Sequence, residues 1–367
     1  MKTGKYQAPT QAVRPRVLWW GRGDADYSRN QVVMSLFSRL GWELDFFRPA
    51  YSRTGGLEAH LVRPARPNLV WVPCFRQADI APAARWARRW GVPLVADPLI
   101  SSFQKEAEER EKYDPESPRA KKRLQWESSV LNKAGVVVAD TPAHARYFFE
   151  TLGVPKDRLA VLFVGAQEEI FTHRPMDSPP KPPFEVFFYG SFLALQGPEV
   201  IVEAARLSRN LPAVWTLLGR GDLLDRCRSL AQGLNNVRFE PWIAYRELPA
   251  RIARADVVLG IFGATHKADM VIPNKVYQSM AVGRPLVTRR AEAFAGIAEG
   301  DPAVCWVAPG NPASLAEAVA GLLSDPESLP EKGRAVRDLY DRCFAAPVLL
   351  EQLSAILEKT AAERGKP

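Results

Sequence analysis

The sequence predicts an α/β protein built from two doubly wound, Rossmann-like domains that face each other across a cleft. Three observations lead there. Short β-branched and aromatic runs alternate with helix-length amphipathic stretches almost from end to end, the pattern of βαβ units and parallel sheets. The runs fall into two series, one within residues 16–162 and one within 185–307, separated by a Pro- and Lys-rich stretch at 174–183 that reads as a linker. At 367 residues the chain has the length of two or three domains. The expected division is 1–174, a linker at 175–183, a second domain at 184–346, and a closing helix at 347–367.

The first strand covers 16–20 and ends in Gly21-Arg22-Gly23-Asp24. A helix follows with Ser28 as its N-cap; Val32, Val33, Leu36, Phe37 and Leu40 make one apolar stripe, and Gly41 stops it. Further strands are expected at 43–47, 68–72, 93–96, 135–139 and 158–162, with a polar, mobile-looking stretch at 105–122. The second series runs through 185–189, 213–218, 236–240, 256–260, 285–288 and 303–307. Asn311-Pro312 opens a helix with Leu315, Ala318, Val319 and Leu322 on one face. Pro347 breaks the helical pattern before a last helix carrying Leu349, Leu350, Leu353, Ile356 and Leu357.

Composition narrows the class. A chain 47% hydrophobic and 25% charged is globular rather than disordered, and no apolar run approaches the ~18–20 residues of a membrane span. The first sixteen residues are polar and show no signal peptide. Cys74, Cys227, Cys305 and Cys343 are scattered without C-x-x-C spacing, against a disulfide framework or zinc knuckle and in favour of a reducing cytoplasm. The net charge of +8 favours an anionic partner: a phosphate ligand, an acidic membrane or nucleic acid.

Gly-Arg-Gly-Asp occurs twice after an expected strand, at 21–24 and 219–222, where glycine permits a tight turn and a helix N-terminus offers N–H groups to an anion. Neither copy completes G-x-G-x-x-G, since Asp26 and Leu224 hold the third position, which argues against a dinucleotide oxidoreductase; two plain turns remain the alternative. In residues 268–287, Pro273 suits the first turn of a helix, Gly283 its stop, and 285–287 the next strand. That helix begins beside the cleft with Lys275 in its first turn, so it either binds phosphate or is an ordinary βαβ connection. His144 at a helix start is a ligand contact or a capping histidine. Arg119, Lys121, Lys122 and Arg123 with Trp126 are a face for an anionic membrane or a solvated helix. Trp242, just past a strand end, is a candidate for lining a nucleotide pocket.

Ile272-Pro273-Asn274-Lys275 followed by Met280-Ala281-x-Gly283-x-Pro285 resembles the nucleotide-binding stretch of retaining GT-B glycosyltransferases of family four, the group one transferases. Asp140 to His144, Phe163 to Phe171, Tyr189-Gly190-Ser191-Phe192, Leu217 to Gly221, and Glu247-Leu248-Pro249 through Val257 are similar to further landmarks of that family, in order over residues 16–325. The resemblance implies a GT-B architecture, a sugar nucleotide held mainly by the second domain, an acceptor in the first, and a final helix crossing back. It further implies transfer of a hexose-type sugar to a glycan, lipid-linked or small-molecule acceptor. Positive charge and backbone N–H groups would stabilise the departing diphosphate without metal or other cofactor. Nucleic acid is not expected as a partner, whereas peripheral membrane contact stays open beside a merely solvated helix face. The implied catalytic residues are Lys275, Gln278 and Asp269. The implied substrate contacts are Gly21, Arg22, Gly23, Gln77 and Asp79 on the first domain, and Gly190, Ser191, Gly219, Arg220, Trp242, Lys267, Ile272, Pro273 and Asn274 on the second. The chain departs from the family in three features. Gln278 stands at the second Glu of E-x7-E, and Met270, beside Asp269, at the first. Phe192 and Gln196 stand where a phosphate-binding Arg and Lys are usual, and Gln77 where relatives often carry His. A glutamine amide still hydrogen-bonds ribose hydroxyls but carries no charge. Two other readings stand beside transfer: a sugar-nucleotide epimerase, for which the motifs offer no proton-transfer pair, and a non-catalytic nucleotide-sugar-binding subunit.

Overall fold

In the computed structural model, residues 14–22, 26–109 and 112–364 are described. The first sheet comprises β1 (Arg16–Trp20), β2 (Glu43–Phe47), β3 (Leu69–Val72), β4 (Leu94–Ala96), β5 (Val136–Ala139) and β6 (Leu159–Val161), all parallel in the order β2-β1-β3-β4-β5-β6. The second comprises β7 (Phe184–Ser191), β8 (Ala213–Arg220), β9 (Val237–Glu240), β10 (Val257–Leu259), β11 (Leu286–Arg289) and β12 (Val304–Val307), parallel in the order β12-β11-β10-β7-β8-β9. Strands covered on both faces need unbroken apolar runs, and β3 and β5 bury every residue. Both sheets reverse direction at their first strand, beside β1 and β7. Ligands of such sheets bind beyond the strand ends at that reversal.

The first domain interleaves α1 (Ser28–Arg39), α2 (Gly55–Val62), α3 (Gln77–Arg89), α4 (Pro118–Leu131) and α5 (Pro142–Glu150). The second carries α6 (Pro198–Leu207), α7 (Leu224–Leu230), α8 (Leu248–Ala253), α9 (His266–Met270), α10 (Asn274–Val282), α11 (Pro312–Leu323) and α12 (Leu329–Cys343). A last helix, α13 (Ala346–Arg364), packs on the first domain: Gln352 Oε1 accepts from Phe163 N at 3.0 Å, and Lys359 Nζ donates to Leu159 O at 2.6 Å. The break before it falls at residues 344–345, and Pro347 sits in the first turn of α13, where its missing N–H costs nothing. None of the described helices is long and apolar enough to cross a membrane.

Two more local features differ from the sequence reading. Tyr27, not Ser28, holds the N-cap position of α1, and no side chain caps that end. The polar stretch at 105–122 holds, among its described residues, a π-helical turn, Gln104–Glu109, and the start of α4. The entry to that turn is fixed by the buried carboxylate of Glu127, which accepts from Ser101 Oγ, Ser102 N and Phe103 N at 2.6–2.8 Å.

Candidate functional site

Between the domains lies a cavity of about 520 Å³. The second domain lines it with the end of β7 (Tyr189, Gly190, Ser191), with Gln196 and Trp242, and with residues 271–275 at the start of α10. The first domain contributes Tyr27 and Ser28 at the start of α1, Lys105 in the π-helical turn, and Phe75, Leu99, Ile100, Asp140 and Val164 just past strand ends.

Pro273 takes the N-cap position of α10, so the unpaired N–H groups of that helix open onto the cavity. Lys275, two residues on, is turned inward rather than into solvent. Its Nζ lies 2.7 Å from Gln196 Oε1 and 3.6 Å from the centre of the Phe188 ring. A Cβ added at Gly190 would come within 2.8 Å of that Nζ, so glycine there leaves the amine room beside the strand end. No carboxylate among the described residues offsets the charge, and burial pushes the ammonium well below its ordinary value of 10.5.

Gln278, one turn on, uses both ends of its amide. Tyr189 Oη lies 3.1 Å from its Oε1, and its Nε2 donates to Tyr245 Oη at 3.2 Å. Tyr245 in turn donates to Ser28 Oγ of the first domain at 3.1 Å. Burial raises the pKa of both phenols, so they stay protonated donors at working pH. Beside the cavity, Asn274 Nδ2 donates to Tyr27 Oη at 3.4 Å and Thr141 Oγ1 donates to Met270 O at 2.5 Å, both from one domain to the other.

On the opposite wall, Phe75 and Leu99 both have left-handed backbones, with φ of 63° and 61°. Such a conformation in a bulky residue costs ~1–3 kcal/mol and concentrates at ligand sites. The two loops hold each other, Phe75 N donating to Pro98 O at 3.3 Å. Beside them is Asp140, the only carboxylate among the described residues lining the cavity. Its Oδ1 lies 2.6 Å from His144 Nδ1, and His144 is fully buried with Nε2 unpartnered.

The structure thus gathers Gly190, Ser191, Trp242, Lys267, Ile272, Pro273, Asn274, Lys275 and Gln278 around one cavity. It leaves the other expected contacts outside. Asp269 turns away to a second cavity of about 490 Å³, where it pairs with Arg289 at 2.7 Å. Gln77 is buried and donates from Nε2 to Ile100 O at 2.7 Å, so it reaches the cleft only by holding the loop that lines it. Asp79 pairs with Arg76 behind Gly21, and Arg22 is exposed away from the cavity. Gly219 serves packing: a Cβ there would sit 1.9 Å from Gly190 O, so β7 and β8 approach too closely for any other residue. Arg220 is exposed with its guanidinium 5.5 Å over the Trp242 ring. Gly23 lies outside the described residues. Tyr27, Phe75, Leu99, Asp140, Tyr189 and Tyr245 were absent from the expected site. All but Tyr245 sit at or soon after a strand end, which was the available signal.

Residues 183–325 match the family model for "Glycosyl transferases group 1", and residues 9–165 that for "Glycosyl transferase 4-like domain". A D-inositol 3-phosphate glycosyltransferase of Paenarthrobacter aurescens is 26% identical over 271 residues, 69% of this chain and 59% of that protein. The chain spans about half the length of three glycosyltransferases that it matches in sequence, 41%, 59% and 53%. Among solved structures, Anabaena Alr3699/HepE in complex with UDP-glucose superposes with a TM-score of 0.70 at 14% identity, covering 94% of this chain and 99% of that one. Sucrose-phosphate synthase from Thermosynechococcus elongatus superposes with a TM-score of 0.70 at 16% identity, covering 95% and 100%. These likenesses carry the two-domain GT-B fold.

Proposed function

Because the chain belongs to the group 1 glycosyltransferases, we propose that its cleft moves a sugar from a nucleoside-diphosphate donor to the hydroxyl of a glycan, lipid-linked or small-molecule acceptor, with retention at the anomeric carbon. One observation carries this reading: an amine buried without a counter-ion, at the open N-terminus of a helix, in the cavity between the domains. A buried unpaired ammonium is costly unless an anion completes it, and a diphosphate is such an anion. When the glycosidic C–O bond breaks, negative charge grows on the phosphate oxygens. Lys275 and the α10 N–H groups are positioned before the reaction to stabilise it. They supply the charge that a metal would otherwise bring, which supports a metal-independent reaction. The acceptor hydroxyl would enter along the wall of Phe75, Leu99 and Asp140.

The test is a thermal-shift panel of UDP, GDP, ADP and dTDP sugars in EDTA. At least one donor should stabilise the protein without divalent metal; stabilisation by none sinks the reading. A structural neighbour that holds UDP-glucose makes the uridine donors the first to try. The anomeric configuration of the product, read by NMR, tests retention.

A second reading rests on Gln278. Its amide is engaged at both ends by tyrosines and it carries no charge, which suits a subunit that binds a nucleotide sugar without turning it over. Transfer or donor hydrolysis that disappears in cleft variants would exclude it.

A further inference from the structure

Asp269, which the sequence placed in the cleft, faces the second cavity instead, and that cavity is built as a site of its own. It lies in the second domain at the carboxyl ends of β11 and β12, the end of a parallel sheet where ligands bind. Helix α9 stands between it and the cleft: Lys267 lines the cleft cavity, and Asp269, two residues on, lines this one. Its volume of about 490 Å³ falls within the ~300–1,000 Å³ of small-molecule sites.

The polar groups of this cavity are fixed in advance. Arg289 is buried; its Nη1 donates to Gly263 O and its Nε to Arg290 O, both at 2.8 Å, and its Nη2 to Asp269 Oδ1 at 2.7 Å. Glu292 N donates to the same oxygen at 3.2 Å. The Asp269 carboxylate is thus held by one oxygen while 40% of its side chain stays open. The half-buried indole of Trp306 is pinned too: its Nε1 donates to Asp301 O at 3.0 Å, and the Phe294 ring meets it edge-on with centroids 4.8 Å apart. Arg290 and Glu299 also line the cavity; both are exposed and, among the described residues, neither forms an ion pair.

We propose that this cavity binds a neutral sugar, a short stretch of glycan held outside the transfer cleft. Its charges select that class. Asp269, Glu292 and Glu299 offset Arg289, Arg290 and the Arg146 that pairs with Glu292, so a phosphate finds no surplus of positive charge here. The cleft is the opposite case, with Lys105, Lys267 and Lys275 against Asp140 among its described lining residues. Nor do the described residues offer a group of acids, histidines or cysteines that could hold a metal ion. Hydroxyl groups, which both donate and accept, suit such a lining: the carboxylates accept from them, the guanidiniums donate to them, and an indole packs on the apolar C–H face of a sugar ring. The choice of a glycan as occupant rests on the sugar-transfer reading, whose acceptor or product can carry further rings; the built cavity does not.

The experiment titrates the full chain with maltose, cellobiose and lactose, read by saturation-transfer NMR of the sugar, and separately with inorganic phosphate, read by its phosphorus line width. At least one disaccharide should bind at millimolar concentration, equally in the parent and in Lys275→Met, and about tenfold or more weakly in Arg290→Gln/Glu299→Gln. Those two side chains are exposed, so that variant keeps its fold; Trp306→Leu should weaken binding as well. No disaccharide binding by the parent, or binding unchanged in Arg290→Gln/Glu299→Gln, overturns the proposal. So does loss in Lys275→Met alone, which puts the sugar in the cleft, and so does phosphate binding that only the Arg290→Gln/Glu299→Gln variant loses. Stabilisation by a sugar nucleotide, read separately by thermal shift, should be equal in the parent and in Arg290→Gln/Glu299→Gln. Failure of every donor there counts against the transfer reading and leaves the disaccharide result to decide this one.

Discussion

Lys275 shows how one residue can oppose the fold and serve the site. Its amine is buried against Phe188 and Gln196 with no carboxylate, so it lowers stability while it waits for an anion. Lys275→Met should therefore unfold at a higher temperature than the parent, yet bind a sugar nucleotide more weakly by ~1.5–3 kcal/mol, the scale of a charged hydrogen bond. Calorimetric unfolding and titration of the two proteins check both halves, and a variant that loses stability or keeps donor affinity counts against the assignment. The pH dependence has a definite sign. The folded pKa is depressed below 10.5, so between the two values the unfolded chain holds the extra proton and parent stability rises with pH. A bound diphosphate favours the ammonium and restores the pKa upward. Donor binding at mildly alkaline pH should then take up protons, seen as a heat that varies with buffer ionisation enthalpy, and Lys275→Met should abolish that variation.

Among the elements, α1 is held by one buried interaction that sequence reading passed over. Arg29 is fully buried; its Nε lies 3.0 Å from Asp97 Oδ2, and its Nη1 donates to Leu162 O and Phe163 O. One guanidinium thus joins α1 to the loops after β4 and β6, the loops that also line the cleft. Burial raises the Asp97 pKa while Arg29 opposes the rise. Removing one partner leaves an uncompensated buried charge, so Arg29→Ala should cost about 3–5 kcal/mol in denaturant unfolding. A cost below ~1 kcal/mol would mean that water reaches the pair. Helix α10 is governed differently: Gly283, at φ 84°, ends it and Pro273 starts it. Those signals were visible locally, and the helix forms where they predict.

At the scale of the whole molecule, the domains are bridged both through the site and around it: Arg146 pairs with Glu292, and Tyr340 of α12 accepts from Ala166 N and donates to Glu168. The chain Tyr189–Gln278–Tyr245–Ser28 crosses the cleft, and Asn274–Tyr27 and Thr141–Met270 flank it. Closure that excludes water is a common requirement of transfer chemistry. Tyr245→Phe removes the hydroxyl at the centre of this chain and leaves the Gln278 amide without its acceptor. The unliganded variant should open, giving a larger radius of gyration in X-ray scattering, and a bound sugar nucleotide should close it again. Equal radii for variant and parent would show that other contacts hold the domains together.

The sequence by itself determined the α/β class, the twelve strand positions, the helix stops and the stretch 271–278 that lines the second-domain side of the cleft. Those features depend on apolar periodicity, turn glycines and caps, which act over a few residues and are therefore legible in order along the chain. Tertiary structure decided which polar side chains share the cavity. Asp269 and Lys275 are close in sequence, yet one faces Arg289 and the other faces the cleft, because the short helix α9 and helix α10 point different faces inward. Gln77 and Gly219 occupy expected motif positions but hold a loop and a close strand approach. Phe75, Leu99 and Asp140 had only their place after a strand end to mark them, and Tyr245 had not even that; the packing of two sheets brings them onto the walls of one cleft.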